Sequence, residues 1–277
     1  MSKYTSKIEM PFKGLWFLVT GSGREGRVGA NIACHMAGLG ANVYLHYRSD
    51  LSEAERVNKD VLKAGKKHGV KVKLVSGDLS KESDVSLLFG DISPDVVIHN
   101  AAVFEPVSMP KNPILFERLN AEAKAFDRNL SANAKAVVLV TEAALHRMRG
   151  DGKTGTIVFV GDAFIHGGGV YPRGLVAYTI SKAHISAIVR QYAVLEGKAG
   201  FRFFAILNGP IEPPPTASAE AIGKIRDEIN LPKVNLKPWI GGDAVAKAIS
   251  LILQAGAVNG ACITVDGGRA WRVTEEH

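Results

Sequence analysis

Gly14-Leu15-Trp16-Phe17-Leu18-Val19-Thr20 runs straight into Gly21-Ser22-Gly23-Arg24-Glu25-Gly26-Arg27-Val28-Gly29, and the reading of the whole chain turns on this junction. The first half is a short apolar run of the kind that makes a buried strand. Beyond the glycines, Val28, Ile32, Met36 and Leu39 recur at helical spacing, and Gly38 and Gly40 close the helix. Strand, glycine loop, helix is an arrangement that lets backbone N–H groups approach a phosphate at the start of a helix. Gly21 and Gly23, together with Arg27 and Val28, are the candidate contacts of such a cradle.

The pattern repeats along the chain. Strands are expected at 42–47, 71–76, 95–99, 155–161, 201–207 and 261–265, with helices at 52–68, 81–90, 120–149, 176–197 and 242–255 between them. Strands alternating with helices of this length predict an α/β fold with a parallel sheet covered on both faces, three layers in all. Ligands of such sheets sit beyond the carboxyl ends of the strands. Residues 1–13 read as a tail and 14–277 as a single domain. The proline-bearing segment 209–240 is placed to act as a substrate or specificity loop.

Composition narrows the class. Of 277 residues, 46% are hydrophobic and 22% charged, which suits a globular protein with a substantial core. No apolar run is long enough to span a bilayer, and the first residues lack the apolar stretch of a secretory signal, so a cytoplasmic protein is expected. Cys34 and Cys262 are far apart and show no metal-like spacing; they read as buried thiols, and no metal is expected. The net charge of +7 is scattered, and its densest cluster, Lys63, Lys66 and Lys67, reads as a solvated helix face. A phosphate-bearing cofactor explains the charge as well as nucleic acid does, and a nucleic-acid partner is not expected.

The end of the second strand bears on the cofactor. An acceptor for a ribose 2′-hydroxyl would be Asp or Glu; here stand His46, Tyr47, Arg48 and Ser49. Arg48 suits a 2′-phosphate, a charge-assisted contact of about 1.5–3 kcal/mol, so NADP(H) is expected over NAD. A shift of register would bring Asp50 to the ribose instead. Further on, Tyr178 and Lys182 lie four apart in Tyr178-Thr179-Ile180-Ser181-Lys182 and so share a helix face. A cation beside the phenol is expected to lower its pKa and make Tyr178 a usable proton donor.

Together with Asp78-Leu79, Asn100-Ala101-Ala102, Asn133 and Val265-Asp266-Gly267-Gly268, these motifs resemble the short-chain dehydrogenase/reductase family over nearly the whole chain. The resemblance implies a Rossmann-like doubly wound sheet. It places Asp78 and Leu79 by the adenine, Asn100, Ala101 and Ala102 by the ribose, Gly209 near the cofactor, and Asn133 in a proton relay to Lys182. It also implies a homotetramer built through helices 120–149 and 176–197, with a small molecule as substrate. Two departures stand out. The phosphate loop is two residues longer than usual, and the serine that normally precedes the tyrosine is missing: the strand ends Val160-Gly161-Asp162-Ala163.

An aspartate at that place resembles the pteridine reductases and dihydromonapterin reductases. So do Leu45-His46-Tyr47-Arg48-Ser49, Arg27-Val28-Gly29 and Asn100-Ala101-Ala102-Val103-Phe104. The resemblance implies a pterin between Phe104 and the nicotinamide, with Arg27 facing it and Asp162 and Tyr178 helping to protonate a ring nitrogen as hydride reaches a C=N bond. Plainer alternatives stand beside these. Phe104 could be a core residue, Asp162 could cap a turn or pair with Arg173, Arg27 could contact phosphate only, and His166 could be a solvated loop histidine. A carbonyl reductase remains open, with Tyr171 replacing the serine or water between Asp162 and the substrate. A non-catalytic NADP(H) sensor is disfavoured by the intact Asn133, Tyr178 and Lys182.

Overall fold

Side chains along each strand point alternately to two separate cores, and this alternation builds the molecule. The computed structural model describes residues 11–107, 113–167, 171, 174–211, 218 and 240–268. Its seven strands are β1 (Trp16–Val19), β2 (Asn42–Tyr47), β3 (Val72–Ser76), β4 (Val96–His99), β5 (Thr156–Asp162), β6 (Arg202–Asn208) and β7 (Ala261–Val265). All pair in parallel, in the order β3-β2-β1-β4-β5-β6-β7. The helices are α1 (Val28–Gly38), α2 (Leu51–Ala64), α3 (Glu82–Asp91), α4 (Leu115–Leu130), α5 (Ala136–Gly150), α6 (Ala163–His166), α7 (Val176–Ala183), α8 (Ile185–Glu196) and α9 (Gly242–Ala255).

Phe17, Val19, Val43, Leu45, Val158 and Phe204 join α1, α2 and α9 in one core. Leu18, Tyr44, Val97, Phe159 and Phe203, one residue out of phase, join α3, α5 and α8 in the other. This is the period-two pattern of a sheet buried on both faces. Chain order reverses at β1, which pairs with β2 on one side and β4 on the other. The crevice beyond the carboxyl ends of β1 and β4 is therefore the switch point where a doubly wound sheet holds its ligand.

Three predicted helices differ from those observed. The helix expected over 120–149 begins at Leu115, because the Glu117 side chain accepts the Ile114 N–H at its start, and it is interrupted by a π-turn at Ser131–Lys135 containing Asn133. The helix expected over 176–197 is broken at His184 into α7 and α8. The one expected over 52–68 ends at Ala64 and continues as a 3-10 turn, Lys66–His68, in which Lys66 and Lys67 are exposed. No helix among the described residues is long and apolar enough to cross a membrane. The tail up to residue 10, Arg173, most of the 209–240 loop and the segment from Arg269 onward lie outside the described residues.

Candidate active site

The glycine loop is held by its neighbours on all sides. Gly21, with φ +64°, donates its N–H to His46 Nδ1 at 3.1 Å, and Gly23 donates to the His46 carbonyl at 3.2 Å. Their N–H groups are thus used inside the protein, and these two glycines shape the loop. A Cβ on Gly21 would lie 2.8 Å from Ala101 Cα, and one on Gly23 would lie 2.6 Å from Tyr47 Cβ. The donors left for an anion are at the start of α1, whose N-cap, the exposed Arg27, makes no side-chain capping bond and whose first turn carries no acid. That uncapped positive end fits a pyrophosphate. Gly29, not singled out as a contact from sequence, makes the approach possible: a Cβ there would lie 2.5 Å from Asn100 Nδ2 and 2.6 Å from Gly21 O.

His46 is the unforeseen residue of this corner. Since Nδ1 accepts from Gly21, the ring is the Nε2–H tautomer and donates to the Gly77 carbonyl at 3.1 Å. Burial pushes its pKa down to about 4. It ties the phosphate loop to the end of β3, beside which Tyr47, Arg48 and Ser49 emerge. Arg48 and Ser49 are exposed, and Arg48 lies near enough to Asp78 to help lower its pKa, behind the larger effect of the Ser80 hydroxyl. Asp50 is occupied elsewhere: its carboxylate caps α2, accepting the Glu53 N–H at 2.9 Å and the Ser52 hydroxyl at 3.0 Å. The register that would carry it to a ribose is not the one adopted, and a 2′-phosphate fits the cation left in place.

Asn100 and Ala101 form the other wall. Both donate N–H to the Thr20 hydroxyl at 3.0 Å, and Asn100 Nδ2 bonds the Thr20 carbonyl at 3.0 Å. Ala102 is exposed beside them, whereas the Leu79 side chain is buried in the core, leaving only its backbone to line the crevice. Gly209 closes the far side, where a Cβ would meet Asp266 Cα at 2.9 Å.

Asp162 sits at the end of β5 and is 8% exposed. Its Oδ1 caps α6 by accepting the Phe164 and Ile165 N–H groups, at 3.0 and 3.4 Å. Its Oδ2 accepts the hydroxyls of Tyr171 and Tyr178, at 2.8 and 3.0 Å. The capping alternative thus holds for one oxygen, while the other faces the two phenols. Phe104 is 59% exposed and stands edge-on to Tyr178, with ring centroids 4.7 Å apart; it is not a core residue. Tyr171 packs edge-on against Phe104, Phe164 and Tyr178, giving an aromatic-walled site.

The expected lowering of the Tyr178 pKa is reversed. Burial and the Asp162 carboxylate hold it well above its ordinary value of 10. Lys182 is buried and donates to the Val160 carbonyl at 3.3 Å; desolvation brings its pKa down to about 8, against the pull of Asp162. Asn133 Nδ2 is bonded to the Val103 carbonyl and the Ser181 hydroxyl, at 2.8 and 2.9 Å, and its Oδ1 accepts the Val103 N–H. The amide thus braces the Phe104 segment and α7 instead of touching Lys182 directly. His166, expected in solvent, is half-buried on α6, and its Nε2 has no hydrogen-bond partner among the described residues. Burial lowers its pKa, opposed by Asp162. Cys34 and Cys262 are free and half-buried, with the Cys34 thiol pushed up to about 11 by burial.

A dinucleotide crevice beside a buried Tyr-x-x-x-Lys pair defines an α/β oxidoreductase. The chain belongs to the short-chain dehydrogenase/reductase family: the family model described as enoyl-(acyl carrier protein) reductase matches residues 22–270. It is similar to the Arabidopsis thaliana protein named NADPH-dependent aldehyde reductase 2, chloroplastic, with 29% identity over 273 residues, 91% of this chain and 92% of that one. It is also similar to a hydroxynaphthalene reductase-like protein Arp2 of Metarhizium acridum, with 27% identity over 75% of this chain and 72% of that one. A short-chain type dehydrogenase/reductase from Mycobacterium ulcerans shares the fold, with a TM-score of 0.77, 21% identity and coverage of 94% of this chain and 91% of that one. These relatives bear reductase names other than pteridine reductase.

Proposed function

We propose that the protein is an NADP(H)-dependent reductase acting on the C=N bond of a flat, pterin-type heterocycle. The observation that carries this reading is the Asp162 carboxylate against the Tyr178 hydroxyl. Hydride addition to a carbonyl builds negative charge on oxygen, and a carboxylate about 5 Å away opposes it by about 3 kcal/mol at an effective dielectric of 20. Protonation of a C=N nitrogen builds positive charge instead, the same carboxylate favours that cation, and hydride then leaves a neutral product. NADPH, when bound, supplies the hydride. Tyr178 holds the proton at its hydroxyl, Asp162 fixes that hydroxyl, and buried Lys182 brings positive charge beneath the site. Phe104, exposed and edge-on to Tyr178, offers a face on which a flat ring can stack. Arg48 and the uncapped start of α1 support binding of the 2′-phosphate and pyrophosphate, in keeping with the NADPH dependence in the name of the Arabidopsis relative. The apolar side chains Leu119 and Phe126 of α4 and Val176 and Ile180 of α7, exposed in the single chain, support association into a homo-oligomer.

A second reading, reduction of an aldehyde or ketone, is favoured by the names of the relatives. One assay separates the two: NADPH oxidation with 7,8-dihydrobiopterin or dihydromonapterin, alongside a panel of aldehydes and ketones, for the wild type and Asp162→Ser. Turnover of the dihydropterin, lost in the variant, is the expected result. Aldehyde turnover without dihydropterin turnover would overturn the C=N reading and leave the carbonyl one.

A further inference from the structure

Tyr178 is matched by a second phenol in the same site. The Tyr171 hydroxyl lies 2.8 Å from the Asp162 oxygen that also accepts Tyr178. The carboxylate is thereby saturated: Oδ2 takes two phenols and Oδ1 takes two backbone N–H groups. Both phenol rings stand edge-on to the exposed Phe104 ring, so the two hydroxyls sit on the carboxylate next to it. Each phenolic O–H rotates about its C–O bond, so a substrate acceptor can take the place of Asp162 without the ring moving. The Tyr171 ring is fixed by edge contacts to Phe104, Phe164 and Tyr178, at centroid distances of 6.4, 4.9 and 5.7 Å. Burial and Asp162 raise its pKa, as they raise that of Tyr178, so it stays a donor through the physiological range.

We propose that Tyr171 is the second substrate-facing donor, and that the site selects flat heterocycles carrying two hydrogen-bond acceptors on one edge: the reacting imine nitrogen for Tyr178 and a neighbouring ring carbonyl oxygen for Tyr171. This rests on the C=N reading above and narrows it. Asp162 in this arrangement is a positioning residue that holds both hydroxyls at the same place. A simple aldehyde lacks the second acceptor, although its one oxygen, with two lone pairs, can take both hydroxyls.

The test is a cycle of protein and ligand deletions. Tyr171→Phe keeps the ring and its edge contacts, so NADPH affinity is expected to be unchanged, with stability lower by no more than the one bond to Asp162 contributes. With a dihydropterin, the variant's kcat/KM falls roughly tenfold, mostly through KM, the size of one lost hydrogen bond. With a dihydropteridine lacking the ring carbonyl oxygen, wild type and variant perform alike, so the two deletions are not additive. An unchanged kcat/KM for the dihydropterin, or additive losses, would overturn the role of Tyr171 while leaving the C=N reading intact. Failure of the wild type to turn over any dihydropterin would remove both. A fall in NADPH affinity equal to the loss of activity would show a structural role and overturn the proposal.

Discussion

Asp162 Oδ2 accepts the Tyr178 hydroxyl at 3.0 Å, and the same carboxylate pulls upward on the proton affinity of buried Lys182. Both groups hold their protons more tightly because the carboxylate is there. Reduction needs the proton on Tyr178, so activity is lost as pH rises past the point where the pair gives it up. Replacing Asp162 by Asn removes the charge from beside both groups and moves the basic limb of kcat/KM to lower pH. The profile, measured from pH 6 upward on any substrate the protein reduces, tests this directly. A limb that stays in place would show that the carboxylate does not govern the proton.

Arg48 and Asp50 stand two residues apart and do unrelated work. Arg48 is exposed at the end of β2, whereas Asp50 accepts the Glu53 N–H and caps α2. Arg48→Ala is expected to weaken NADPH binding by about ten- to a hundredfold, the loss of one charge-assisted contact, and to leave NADH binding as it was. Asp50→Ala should cost about 0.5–2 kcal/mol of stability, seen in chemical denaturation, with the NADPH-to-NADH ratio unaltered. A ratio that shifts on removing Asp50 instead would place that carboxylate at the ribose.

The fold was legible because its signal is periodic. Alternation in β1, β2, β4 and β5 distributes Phe17 and Val19 to one core and Leu18 to the other, and the helices between them follow the 3.6-residue spacing. The breaks at Asn133 and His184 were not legible, since a π-turn and a kink arise from tertiary contacts, such as the Asn133 bonds to Val103 and Ser181, that leave no periodic trace. In the site, Tyr178 and Lys182 were singled out by spacing and Asp162 by the family resemblance, but the direction of the Tyr178 pKa was legible in neither. It depends first on the burial of the phenol and then on the Asp162 carboxylate 3.0 Å from its hydroxyl, and no one-dimensional pattern carries either. His46 was hidden for a related reason: a motif that looked like part of a phosphate site sends its first side chain inward.

Gly29 is the tightest point of the phosphate crevice. A Cβ on it meets Asn100 Nδ2 at 2.5 Å and the Gly21 carbonyl at 2.6 Å, and the second of these is backbone that cannot swing aside. Gly29→Ala is therefore expected to displace the start of α1 and raise the NADPH dissociation constant by roughly tenfold or more, one lost contact of about 1.4 kcal/mol at least. Gly90→Ala, where a Cβ meets nothing within 4 Å, is the matched control and should bind as the wild type does. Equal affinity of the two variants for NADPH by titration of cofactor fluorescence would show that the crevice does not depend on this approach.

His46 and His99 make the stability of the fold sensitive to acid well above the carboxylate range. Burial lowers the first to about 4 and the second to about 3, from an ordinary 6.5, so both rings are neutral in the fold and take up a proton on unfolding. With the folded pKa depressed, their contribution is complete above pH 6.5 and is lost as pH falls towards the folded values. Each ring is expected to cost about 1.4 kcal/mol per pH unit across the window from 6 to 4.5. His46→Gln keeps an acceptor for the Gly21 N–H and a donor for the Gly77 carbonyl while removing the titration, so its slope in that window should be shallower than that of the wild type by about one such increment. Urea denaturation at four or five pH values measures both slopes. Identical slopes for the two proteins would mean that His46 is already protonated in the fold, which its acceptance of the Gly21 N–H forbids.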